Sequence, residues 1–287
     1  MTATAATHYD RVTEAWRRWV MGEELHFGLF RHADAGLAEA TQELTVHLAE
    51  LAQLQAGLRV LDVGCGVGTP ACDLAEHEDC RVLGISTSPV GVAAAGAQAR
   101  ARGLEAKVEF QVQDALATGQ ASDTFDRIYS LESAHLMDKV GLYAEMFRVL
   151  RPGGRLALCD VCLVGNEGIE LGSYAMLGFP KFAAAELRKA VHNTMHRAFG
   201  SAVLSHTSAY LEAARAAGFA EIRRYDLSEA TRPTLSLWAE NAARHRAPLE
   251  EALGPEYLES FFLALLHMAY GWGRYGGYLA MTATKPG

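Results

Sequence analysis

The stretch Val60-Leu-Asp-Val-Gly-Cys-Gly-Val-Gly-Thr-Pro70 constrains the fold more than any other part of the chain. A short β-branched run stops at three alternating glycines, and a proline follows where a helix can begin. Glycine has no Cβ, so the backbone there can turn sharply and approach a ligand closely. Open α/β sheets bind ligands outside the carboxyl ends of their strands, where a loop of this kind falls.

The flanking sequence keeps the same rhythm. Short apolar runs at 59–63, 81–85, 108–112, 125–129, 155–160, 220–227 and 278–284 read as strands. Helical stretches at 70–78, 89–102, 139–150 and 208–217 separate them, with a turn at 151–154. This alternation predicts an α/β fold with a doubly wound, mostly parallel, seven-stranded sheet covered on both faces. Residues 1–56 read as helical, with Leu37, Leu44, Leu48 and Leu51 near one face. Two aromatic-rich helical blocks, 163–205 and 234–270, interrupt the strand order. The expected organisation is a helical lid (1–56), a core (57–162), a cap insertion (163–205) and more core (206–232). A second cap insertion (233–276) and a final core strand (277–287) complete it.

Composition narrows the function. With 26 Lys and Arg against 34 Asp and Glu, the net charge is −8, and no basic cluster is visible. Neutralising a phosphate backbone needs Lys and Arg, so the partner is expected to be a small molecule and not nucleic acid. No run of about eighteen apolar residues crosses a membrane, and the first ten residues lack a secretory pattern. Five cysteines without disulfide spacing fit a cytoplasmic location. Cys159-Asp-Val-Cys162, without a second such pair, reads as two core thiols rather than a metal or redox site. The expected state is a monomer or homodimer.

The glycine loop excludes two ligand classes. A dinucleotide fingerprint needs glycine at 69, where Thr69 stands, and an acid about twenty residues on, where the second strand runs into Ser86. A phosphate loop needs a Gly-Lys-Ser/Thr ending, which is absent. Asp62, two residues before the first glycine, suits a ligand carrying cationic ammonium and sulfonium groups.

The segment resembles motif I of class I methyltransferases that use S-adenosylmethionine (SAM). The resemblance extends through Gln113-Asp-Ala115 and Leu150-Arg-Pro-Gly-Gly154, covering about residues 58–160. It implies that Gly64, Gly66 and Gly68 wrap the methionine part of SAM. It also implies that Asp114 accepts from the adenine amino group, that the Ala115 N–H reaches adenine N1, and that Leu131 joins the cofactor pocket. One departure stands out: where most of the family ends the second strand on an acid that grips the ribose, this chain has Gly84-Ile-Ser-Thr-Ser-Pro89. Ribose binding is then expected to lean on Ser86 and Thr87. That variant is similar to the branch containing sarcosine/dimethylglycine, tocopherol and natural-product sugar methyltransferases. Leu25-His-Phe-Gly28, Leu131-Glu-Ser-Ala-His-Leu-Met137 and the C-terminal strand support the same branch.

Methyl transfer chiefly needs alignment of nucleophile, methyl carbon and sulfur, and a base only where the nucleophile must lose a proton. His135 follows the fourth strand and Asp160 ends the fifth, so they are the candidate base and its orienter. Glu132, His26 and Phe27 from the lid, and Tyr174 from the cap, are the candidate acceptor contacts. His192 and His196 have i, i+4 spacing but no H-E-x-x-H acid, so no metal is expected. The expected activity is SAM-dependent methylation of a hydroxyl or amine on a small molecule, with a carbon nucleophile open. A nicotinamide oxidoreductase is disfavoured by Thr69 and Ser86. A non-catalytic SAM-binding protein is disfavoured by the polar groups at 132–135.

Overall fold

The computed structural model describes residues 5–165, 181–200 and 204–287. Seven strands form one sheet: β1 (Arg59–Val63), β2 (Arg81–Ser86), β3 (Val108–Val112), β4 (Phe125–Leu131), β5 (Leu150–Leu163), β6 (Ala220–Asp226) and β7 (Gly276–Thr284). Their order is β3-β2-β1-β4-β5-β7-β6. The first five strands run parallel, and β7 lies antiparallel between β5 and β6. The order reverses between β1 and β4, so a crevice opens at their carboxyl ends.

Side chains alternate across the sheet. Val60, Tyr129, Leu131, Ala157 and Cys159 join one buried cluster, and Leu61, Val63, Ile128, Leu156 and Leu158 join the other. Cys159 and Cys162 lie three apart in an extended strand and therefore face opposite ways. They fall in different clusters as free thiols, too far across the sheet to act together.

Against the sheet pack α2 (Leu37–Ala52), α3 (Thr69–His77), α4 (Pro89–Ala101), α5 (Lys139–Val149) and α7 (Thr207–Ala217). Above its carboxyl edge lie α1 (Ala5–Trp16) and α6 (Lys181–Phe199). The short α8 (Ser228–Thr231) leads into α9 (Pro233–Arg244), α10 (Arg246–Leu253) and α11 (Pro255–Gly271). α6 packs on α11, so helices from the two interrupting blocks meet. Trp16 of α1 donates to the Tyr257 hydroxyl on α11 (3.0 Å), which donates to the Ala198 carbonyl on α6 (2.9 Å). Among the described residues no helix is long and apolar enough to cross a membrane.

Two expected elements differ. The N-terminal segment is not helical throughout: a π-turn at Arg17–Met21 ends at Gly22, whose φ is +91°, and the chain is irregular until α2. The expected turn at 151–154 belongs to β5. Leu150 already pairs with Phe125, and the ladder shifts before Arg127 meets Arg155. Gly153, at φ +74°, donates instead to the Lys285 carbonyl (2.9 Å).

Gly68 shows why the loop admits no side chain on its inner side. A Cβ there would lie 2.6 Å from Ala95 Cβ and 2.7 Å from the Phe110 ring, at a φ of +85°. Gly68→Ala should lower stability by about 2–6 kcal/mol, the sum of left-handed strain and overpacking. The urea midpoint of the ligand-free protein is the measurement, and an unchanged midpoint would contradict this packing.

Candidate active site

Gly64, Gly66 and Gly68 all adopt positive φ. The N–H groups of Gly64 and Cys65 both donate to the Ile85 carbonyl (2.9 and 3.0 Å), which ties the loop to the end of β2. A Cβ on Gly66 would meet nothing within 4 Å, because that position faces a cavity of about 1230 Å³. The wall includes Gly64, Gly66, Ser86, Thr87, Asp114, Ala115 and Leu131, so seven of the nine residues expected at the cofactor come together. Asp62 and Gly68 lie outside the wall, Gly68 packing against α4 and β3. Asp114 is exposed at the cavity and uses Oδ1 to accept from the Leu116 N–H (2.9 Å).

Beyond β4 the chain turns through a 3₁₀ segment, Ala134–Leu136, which delivers His135 to the same cavity. Its Nδ1 lies 2.6 Å from Asp160 Oδ1, and both residues are buried (7% and 0% exposed). Asp160 Oδ1 also accepts from the Val161 N–H (2.9 Å), and Oδ2 accepts from the Tyr210 hydroxyl on α7 (3.1 Å). Buried Lys139 donates to the Ala134 and Met137 carbonyls (2.8 and 3.0 Å), bracing the turn that carries His135. Burial opposes a charge on His135, but the Asp160 carboxylate outweighs it and, with Glu132, moves the pKa above the ordinary histidine value. The remaining ring nitrogen, Nε2, has no protein partner among the described residues.

The lid closes on this dyad through Phe27. Its ring stacks on Trp272 (5.0 Å between centroids) and meets Trp238 edge-on (4.8 Å). Its N–H donates to Glu132 Oε1 (2.7 Å), which also accepts from the Tyr278 hydroxyl (2.6 Å). Burial pushes the Glu132 carboxyl upward against the pull of these donors and of His26. Phe27 and Glu132 line the cavity and His26 does not. The His26 ring turns away, with Nε2 2.7 Å from Glu24 Oε2 and Nδ1 2.7 Å from the Phe27 carbonyl. It braces the N-terminal segment and does not face the cavity, because the Glu24 carboxylate and the Phe27 carbonyl occupy its two nitrogens. Tyr174 lies outside the described residues. His192 and His196 both line the wall, their rings 6.4 Å apart.

Sequence reading passed over Tyr9, Thr13 and Trp16 of α1, which line the cavity together with Ala6. Their i, i+3, i+4 spacing was a readable signal. Tyr210 was missed for a different reason, since only the tertiary fold brings α7 to Asp160.

With this geometry in place, comparison identifies the family. Residues 54–217 match the profile of a methyltransferase domain. The chain belongs to this methyltransferase family. It is 34% identical over 280 residues to 27-O-demethylrifamycin SV methyltransferase of Amycolatopsis mediterranei (strain S699), covering 96% of this chain and 93% of that one. It is also 34% identical over 230 residues to methyltransferase GfsG of Streptomyces halstedii, covering 79% and 76%. The crystal structure of the [4+2]-cyclase SpnF is similar, with 29% identity and a TM-score of 0.80 over 99% of this chain and 98% of that one. The seven-stranded sheet is the Rossmann-like methyltransferase fold, and the methyl donor is SAM.

The residues of this methyltransferase fit that donor. Gly66 leaves open space where a close ligand needs it. Asp62, buried beneath the loop, has an Oδ2 atom with no hydrogen-bond partner, and burial pushes its pKa up to about 7. An unneutralised carboxyl under the loop matches a cationic ligand above it. Gly66→Val should lose about 1–3 kcal/mol of stability to left-handed strain at φ +53°. The folded variant should bind S-adenosylhomocysteine (SAH) at least 100-fold more weakly, on the order of 3 kcal/mol of overpacking against the ligand. Isothermal titration checks this, and normal SAH affinity in a folded Gly66→Val protein would refute the placement.

Proposed function

We propose that this methyltransferase transfers a methyl group to a hydroxyl of a bulky, mostly apolar natural product, with His135 as general base. The observation that carries this reading is His135, held by the buried Asp160 and opening onto the large cavity. A cavity of about 1230 Å³ exceeds the roughly 300–1,000 Å³ usual for one ligand, which suits a donor and an acceptor together. Its acceptor side draws on Trp16, Phe199, Trp238, Met268 and Trp272. The rifamycin relative, named for an O-demethylated acceptor, supports oxygen as the nucleophile.

SAM when bound supplies an electrophilic methyl group on a sulfonium. The chain's own residues do the rest. The glycine loop and the end of β4 hold the donor, and the aromatic walls orient the acceptor and exclude water. Asp160 accepts from Nδ1 and so fixes the tautomer that leaves Nε2 free to accept. As the acceptor oxygen becomes bonded to carbon, its proton passes to Nε2, and Asp160 stabilises the imidazolium.

His135→Ala should lower the single-turnover rate about 10²–10⁴-fold with little change in SAH affinity. His135 must be neutral to take the proton, and its pKa is raised, so the wild-type rate should fall on the acid side with a midpoint above 6.5. Asp160→Asn removes the raising charge and should move that midpoint down while also slowing turnover. The measurement is the rate across pH 5–9 with saturating SAM and 27-O-demethylrifamycin SV or a comparable hydroxylated macrocycle. An unchanged rate and profile in His135→Ala, or methylation at carbon, would overturn the assignment.

A further inference from the structure

The ribose of SAM presents two neighbouring hydroxyl donors, and a carboxylate is the side chain best suited to receive both. The sheet offers none at that place: from the end of β2 into α4, the cavity wall consists of Ile85, Ser86, Thr87, Ser88 and Gly91. A carboxylate stands just outside that wall, hydrogen-bonded to one of its residues, and it comes from the lid. Asp10 of α1 accepts from the Ser88 hydroxyl through Oδ1 (2.5 Å).

Ser88 is the junction of the cofactor cleft. Its Oγ accepts from the Gly91 N–H (2.9 Å), capping α4, and its own N–H donates to Ser86 Oγ (3.2 Å). Gly91 in turn backs onto the glycine loop, so closely that a Cβ on it would lie 2.9 Å from the Gly66 carbonyl oxygen. One serine thus connects α1, the end of β2, the start of α4 and the glycine loop. The positive end of the α4 dipole favours an anion at this point. Ala6, Tyr9 and Thr13, on either side of Asp10 along α1, all line the cavity. Among the described residues, Asp10 Oδ2 has no partner.

We propose that Asp10 supplies from the lid the carboxylate that β2 lacks. It is a cofactor-binding residue that accepts hydrogen bonds from the ribose, and it makes docking of α1 depend on the nucleoside. Donor binding then strengthens the docking of α1, whose Tyr9 and Trp16 form part of the cavity wall.

The test is isothermal titration of wild type and Asp10→Asn with SAH and with its 2′,3′-dideoxy analogue. Asp10 is exposed, so Asp10→Asn should fold normally, checked by circular dichroism. Asp10→Asn should bind SAH at least about tenfold more weakly, as expected for losing a hydrogen bond to a charged group. Removal of the ribose hydroxyls should cost wild type a similar factor and cost Asp10→Asn almost nothing. In parallel, SAH should slow tryptic cleavage at Arg11 and Arg17 in wild type, and the dideoxy analogue should not. Glu14→Gln, which alters a neighbouring exposed residue paired with Arg17, should keep the wild-type SAH affinity. Equal losses on removing the hydroxyls in both proteins would make Asp10 a lid anchor only and overturn the proposal. So would an SAH affinity in Asp10→Asn within twofold of wild type.

Discussion

Gly64 and Ser133 stand so close that a methyl group on Gly64 would lie 2.2 Å from Ser133 Cβ. Ser133 completes the contact by donating to the Val63 carbonyl (2.5 Å) and sharing a hydrogen bond with Ser130 (2.9 Å). The cofactor loop after β1 is thereby locked to the loop after β4, across the point where the strand order reverses. Glu132 precedes Ser133 and His135 follows two residues on, so this contact sets both of them against the glycine loop in one cavity. Neither loop can shift alone, because the interior has no slack to absorb even a methyl group.

Glu132 is where the second half of the assembly is fastened. It holds a left-handed backbone, φ +51°, which a residue other than glycine adopts at a cost of about 1–3 kcal/mol. Two hydrogen bonds offset that strain, one from the lid backbone at Phe27 and one from Tyr278 on β7. The Phe27 ring then sits among Trp238, Trp272 and Tyr278, so the lid is secured by a polar contact at its backbone and an aromatic one at its side chain. Such aromatic pairs contribute about 0.5–1.5 kcal/mol each beyond burial, enough to hold a segment without regular structure.

What the sequence conveyed follows the range of the forces involved. The five parallel strands were legible because each is a short apolar run bounded by breakers, and those signals are local. The glycine loop was legible because only glycine satisfies its geometry. The 151–154 stretch misled because Pro152, Gly153 and Gly154 have turn chemistry, while two backbone hydrogen bonds with Lys285, from the Gly153 N–H and to the Gly154 carbonyl, tie them to the chain beyond β7. His26 misled because its neighbour Phe27 meets the cavity and an extended backbone turns alternate side chains to opposite sides. Gly68 and Asp62 belong to the same motif as the wall residues, yet one packs against α4 and the other lies under the loop. A motif records which residues are required, and not which of them touch the ligand. The Tyr210 contact with Asp160 and the Asp10 contact with Ser88 join distant parts of the chain, and no local pattern announces them.

The two buried aspartates near the carboxyl ends of β1 and β5 show how differently one residue type can be used. Asp160 is fully supplied: His135, the Val161 N–H and the Tyr210 hydroxyl occupy both its oxygens. Its geometry is set before any ligand arrives, which is what an orienting group requires, since any reorganisation during the reaction would add to the barrier. Asp62 is undersupplied, with Oδ2 bare and its pKa pushed up to about 7 by burial alone. A buried carboxyl left in that condition costs stability in the free protein, and a cation above the glycine loop relieves the cost by favouring its ionised form. The sheet therefore meets the donor with one acid already satisfied and one awaiting a counter-charge. A cation bound above the loop would complete the second, while the first already holds His135, the residue of the pair that faces the cavity.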